Sequence, residues 1–153
     1  MNALENRIPP PLVTLAIAAA MWLAAPLAPT LQLAISSRLP IAVIFLVFGV
    51  ACLLQGGWAL TAAKTTFNPI QIEKASALVT KGIYNYSRNP MYVGFASLLV
   101  GWAVYLASPW LLFGPAIFVA FINRFQITPE ERVMSAKFGS DFAAYKSRVR
   151  RWL

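Results

Sequence analysis

Long uncharged apolar runs alternate along this chain with short polar stretches, and the runs have bilayer length. No residue between Arg7 and Arg38 is charged, and the stretch 11–28 predicts a first span of about the 20 residues that cross roughly 30 Å of hydrocarbon. A second uncharged run predicts a span over 39–63. The third, Asn89 to Asn123, is broken at Ser108-Pro109 and predicts a helical hairpin with arms 91–107 and 110–125, each about 25 Å long at 1.5 Å per residue. The predicted fold is all-α, a polytopic membrane bundle of four transmembrane helices in a single domain. Segments 64–90 and 126–153 are predicted to lie outside the bilayer, the second as a cytosolic or interfacial C-terminal helix.

Composition agrees: 59% of the 153 residues are hydrophobic and 12% charged, far from the balance of a soluble domain. Four spans place Arg7, the basic residues of 64–90 and those of the tail on one side, against Arg38 alone on the other. That asymmetry predicts a cytoplasmic location for both ends, at the inner membrane if the source is bacterial. Tyr105 and Trp110 suit an aromatic belt at the far interface. The net charge of +8 serves topology and anionic headgroups, because the basic residues border the apolar runs and form no nucleic-acid-binding patch. A cleavable signal peptide is the alternative reading of the first run; its length and the paired Glu5 and Arg7 ahead of it argue for a retained span. Ala16, Ala20, Ala24 and Ala28 form a small-residue stripe suited to internal helix packing or to a homodimer.

Histidine is absent, which excludes histidine-based triads and histidine-ligated metal, and the single Cys52 reads as packing. Chemistry-bearing residues gather in the two outer segments. In the first, Asn89 and Pro90 suit the N-cap and first position of a helix, whose free N–H groups, with Arg88 beside them, also suit an anionic ligand group. In the second, Thr128 and Glu131 read as a capping box with Pro129 at the first helical position. Met134, Phe138, Phe142 and Tyr145 then share a face that predicts an amphipathic helix on anionic lipid. Glu130 has no such capping duty.

In order, Gly82-Ile83-Tyr84, Ser87-Arg88-Asn89-Pro90-Met91-Tyr92-Val93-Gly94, a two-helix hairpin, Glu130-Glu131, Phe138-Gly139, Tyr145 and Val149-Arg150-Arg151-Trp152 resemble the catalytic half of the integral-membrane isoprenylcysteine carboxyl methyltransferases, which are related to the phospholipid N-methyltransferases. The resemblance covers residues 63–152 and implies a cytosol-facing S-adenosylmethionine pocket roofed by the C-terminal segment, with a lipophilic substrate entering from the bilayer. It implies that Val79, Gly82 and Tyr84 border the adenosine, that Arg88, Asn89, Pro90 and Tyr92 hold the methionine end, and that Glu130 and Glu131 bind cofactor. Arg88 and Arg124 are the catalytic candidates, Arg124 for orienting a substrate carboxylate. Asn89 stands where the family commonly has histidine, so a positioning role survives there and a titrating one does not.

Methyl transfer from a sulfonium needs alignment and desolvation more than acid–base help, so the lack of histidine is no obstacle. The acceptor stays open among carboxylate, amine and thiol. Two other readings compete: a non-catalytic membrane subunit or lipid-binding protein, and a reductase using NADPH on the sterol-reductase plan.

Overall fold

The structure is a computed structural model that describes Glu5, residues 7–64 and residues 77–153. The described residues form five helices: α1 (Pro10–Ala24), α2 (Ile35–Ala62), α3 (Pro90–Tyr105), α4 (Phe113–Ile122) and α5 (Thr128–Arg148). Three helical stretches are long and apolar enough to cross a membrane, namely Pro10–Leu27, Ile35–Ala62 and the run from Pro109 to Arg148, while the apolar α3 is shorter. The chain is an integral membrane protein.

The helix bounds differ from the sequence reading where a charge or a proline was taken as a boundary. Helix α2 begins at Ile35, ahead of the expected 39, and carries Arg38 and Pro40 inside it. The fourth predicted span, 110–125, resolves into a 3₁₀ turn at Pro109–Leu112, then α4, then a π-helical turn at Asn123–Ile127 that runs without interruption into α5. Thr128 therefore caps nothing. Its hydroxyl donates to the Asn123 carbonyl five residues back at 2.7 Å, and Pro129 sits inside a continuous helical path. A proline there lacks a donor and crowds the preceding turn, and a widened π turn immediately ahead of it relieves both problems.

Helices inside lipid gain little from apolar burial, so close approach and backbone-satisfying hydrogen bonds hold them together. The α2–α3 seam shows how. A Cβ on Gly94 would lie 2.7 Å from the Gly49 carbonyl oxygen, and one on Gly49 would lie 2.9 Å from that of Gly94. Ser97 adds a hydrogen bond to the Phe45 carbonyl at 2.9 Å. Gly94, part of the quoted motif, is thus accounted for by packing. At the far end the Arg38 guanidinium donates to the Tyr105 carbonyl at 2.8 Å, and Ser108 donates to the Pro29 carbonyl at 2.8 Å. Trp102 joins α3 to α1 through the Ala18 carbonyl at 3.1 Å. The core between α1, α3 and α4 is apolar, with Phe118, Ile122 and Leu99 almost fully enclosed.

Candidate functional site

Two segments distant in sequence meet at one end of the bundle: the stretch 77–89, which ends at the start of α3, and α5 with the residues after it. Gly82 takes φ +65° to enter a 3₁₀ turn that buries Tyr84. Tyr145 of α5 donates its hydroxyl to the Tyr84 carbonyl at 2.7 Å. Around that contact Phe142, Tyr145 and Val149 bury themselves with Leu78, Met134 and Phe138. The apolar face expected to lie on lipid is covered by the chain itself, and α5 is bent for the purpose at Gly139, with φ +45° and ψ −118°.

An ionic clamp closes the arrangement. The Arg88 guanidinium donates to the carbonyls of Lys146 (3.2 Å) and Val149 (3.0 Å) and to Glu131 at 2.8 Å. Arg151 reaches the same carboxylate from the other side, at 2.6 Å and 3.2 Å. Asn89 occupies the N-cap position of α3, but its side chain caps nothing and donates instead to the Arg151 carbonyl at 2.9 Å. Trp152 completes the closure by donating to Asn123 in the π turn at 3.1 Å. Burial opposes ionisation of Glu131, yet hydrogen bonds and charge from Arg151 and then Arg88 outweigh it and hold the carboxyl below its usual range.

Glu130 is different. It accepts a 2.5 Å hydrogen bond from Tyr92 of α3, and no cation lies within ion-pair distance of it among the described residues. Burial pushes its carboxyl up to about 7, the Tyr92 hydrogen bond works against that rise, and the Glu131 charge adds to it.

Folding therefore brings together Tyr84, Arg88, Asn89, Tyr92, Glu130 and Glu131, six of the residues singled out in the sequence. Pro90 is buried at the first position of α3, Val79 is partly buried beside Leu78, and Gly82 is exposed. Arg124 points elsewhere: it meets Glu5 at 3.4 Å, and its guanidinium lies over the Phe125 ring. Residues 65–76 of the first outer segment, Lys74 among them, lie outside the described residues. The sequence reading quoted Arg151 and Trp152 without giving either a role, and so missed the Arg151–Glu131 pair and the Trp152–Asn123 link. The signal for Arg151 was scarcity: the chain has five acidic residues, so two adjacent carboxylates in an apolar setting call for nearby cations.

The phospholipid methyltransferase profile matches residues 37–141. The chain belongs to that family. Human protein-S-isoprenylcysteine O-methyltransferase is 34% identical over 109 residues, which cover 69% of this chain and 37% of the human protein. The Xenopus laevis enzyme of that name is 34% identical over 94 residues, 60% of this chain and 33% of its own. An uncharacterized Haemophilus influenzae protein is 40% identical over 63 residues, 41% of this chain and its own entire length. The chain thus spans well under half the length of these two named methyltransferases, and the resemblance to isoprenylcysteine methyltransferases holds within that span. No solved structure matches it.

Proposed function

We propose that this protein is an integral-membrane methyltransferase that uses S-adenosylmethionine to methylate a lipophilic acceptor at the cytoplasmic face. One observation carries the reading: the fold gathers the Arg88–Tyr92 stretch, Tyr84 and the glutamate pair at one end of an apolar bundle, leaving one carboxylate without a cationic partner among the described residues. A cofactor carrying a sulfonium and an ammonium suits that unpaired carboxylate. In this reading α3 is a fourth, short span, and the excess of basic residues on the site side sets that side in the cytoplasm, with both termini. Val79, Gly82 and Tyr84 would border the adenosine and the start of α3 the methionine end. Arg88, whose guanidinium is committed to the chain, fixes the pocket's shape. Bound cofactor supplies an activated methyl group; the chain supplies orientation and a water-poor setting. Ala16, Ala20 and Ala24 remain exposed on α1, and a second copy packing there is part of the proposal.

Isothermal titration of detergent-purified protein with S-adenosylhomocysteine tests the reading. Micromolar binding, weakened at least tenfold in Arg88→Ala, is expected. A folded wild type giving no heat with this ligand but binding NADPH would replace the reading with the reductase alternative.

A further inference from the structure

The wall formed by residues 83–93 has two sides. Toward α5 it offers the Tyr84 carbonyl to Tyr145 and the Tyr92 hydroxyl to Glu130. Toward α2 it presents Ile83, Pro90 and Val93, which together with Phe48 and Cys52 of α2 border a cleft of about 280 Å³. The exposed walls of this cleft are apolar, and the Ser87 hydroxyl at its border is used within the chain, accepting from the Asn89 N–H at 3.1 Å. Phe48 and Tyr86 at the rim are 45% and 75% exposed, so the cleft opens on the flank of the bundle. Helix α2 meets the start of α3 at Gly56, where an added Cβ would lie 2.6 Å from Met91 Cγ. Phe48 stands roughly 12 Å deeper along α2, at 1.5 Å per residue. The cleft therefore runs along the bundle from the charged end into the apolar part, which is the course of a lipid tail.

The charged end supplies the complement. Arg88 and Arg151 are taken by Glu131, and Arg124 and Arg132 by Glu5. Lys81 and Arg150 are exposed, and neither has a carboxylate partner among the described residues. Both belong to segments that border the cleft. The Lys81 carbonyl accepts from the Tyr84 N–H at 3.3 Å, in the turn that carries Ile83, and the Arg150 carbonyl accepts from the Arg88 N–H at 3.0 Å, between Ser87 and Asn89. Uncompensated cations beside an apolar cleft match an anionic headgroup above a hydrocarbon chain. A zwitterionic headgroup brings its own cation, and a nucleotide would leave its polar groups unpaired against these walls.

We propose that the cleft holds one molecule of an anionic phospholipid, with an acyl chain between α2 and the 83–93 wall and its phosphate against Lys81 and Arg150. The lipid is a fixed structural ligand on the side of the wall away from Glu130, and is not the methyl acceptor. It ties the 81–90 stretch to residues 150–153 from the bilayer side, as Arg88, Glu131 and Arg151 tie them from within.

Native mass spectrometry of the full chain in detergent, with equimolar phosphatidylglycerol and phosphatidylcholine of identical acyl chains, tests this. One phosphatidylglycerol should be retained, at least tenfold over phosphatidylcholine, since each cation at an anionic lipid surface contributes about fivefold. Lys81→Gln combined with Arg150→Gln should bring that ratio within threefold and leave retention of phosphatidylcholine unchanged. Cys52→Phe and Ile83→Trp fill the cleft from opposite walls, and each should cut retention of phosphatidylglycerol at least tenfold in a chain shown to be folded by its thermal unfolding. Equal retention of the two lipids overturns the proposal, as does a preference that survives the double Gln variant. Undiminished retention in either filled variant that folds would place the lipid on surface cations alone and also overturn it. Retention is read without cofactor, so the outcome is independent of the methyltransferase reading.

Discussion

The α2–α3 seam and the junction between α5 and residues 77–89 both join two segments of backbone, and they use opposite means. In the seam two glycines bring carbonyls and Cα atoms into contact, with no ion pair, at a depth where an unmatched charge is costly. At the junction the Arg88 N–H meets the Arg150 carbonyl at 3.0 Å, and Arg88, Glu131 and Arg151 add charge-assisted hydrogen bonds between the segments. Contact geometry tolerates no added atom and is indifferent to pH. An ionic clamp tolerates small displacement and depends on protonation.

Removing one member of the clamp should have the largest effect. Glu131→Gln leaves two arginines uncompensated in a mostly buried site, and we expect a loss of about 3 kcal/mol in thermal unfolding in detergent. The pH dependence sharpens the contrast. The folded-state pKa of Glu131 lies below its ordinary 4.5, so its contribution is fully present above that value and lost as pH falls through the depressed one. Glu130 acts in the opposite sense: its pKa is raised to about 7, so stability declines as pH climbs from 4.5 towards 7. Stability measured from pH 3 to 8 should therefore lose its acid limb in Glu131→Gln and its decline towards neutrality in Glu130→Gln. Identical profiles in the wild type and both variants would break the comparison.

Overfilling the seam comes next. Gly94→Leu puts side-chain atoms where the Gly49 carbonyl already sits, and a loss of about 2 kcal/mol, unchanged between pH 4 and 8, is expected from the same melts. The smallest effect belongs to the bend that lets α5 reach its partner. Gly139→Ala meets no steric neighbour but must hold a φ of +45°, which should cost about 1–2 kcal/mol and weaken S-adenosylhomocysteine binding a few-fold. A neutral result there would mean that the helix can straighten without losing the junction.

The apolar runs were legible as a local pattern of uncharged sequence, whereas the candidate site residues, the Asn-Pro start and the Glu pair among them, drew their roles from the family resemblance. Long-range pairing was not. Arg88 looked available to a ligand because nothing local reveals that Lys146 and Val149 will offer it carbonyls some sixty residues later. Thr128-Pro129-Glu130-Glu131 looked like a helix start because the same residues serve equally well after a π turn, and only the continuation from α4 distinguishes the two. The face of α5 was read correctly as apolar, but its partner, the 78–84 stretch, has no periodicity that would announce it.

Continuity from Phe113 to Arg148 also fixes a height. The glutamate pair stands roughly 12 Å farther along the axis than Ile122, at 1.5 Å per residue, on a path with no loop to absorb a change. Under the proposed function the bundle would serve as a ruler, with its zero mark at Ile122 and its working mark at the glutamate pair. An acceptor anchored by its tail would present its reacting atom at a depth set by its own length, and the distance between the two marks would select among lipids before any side chain touches them.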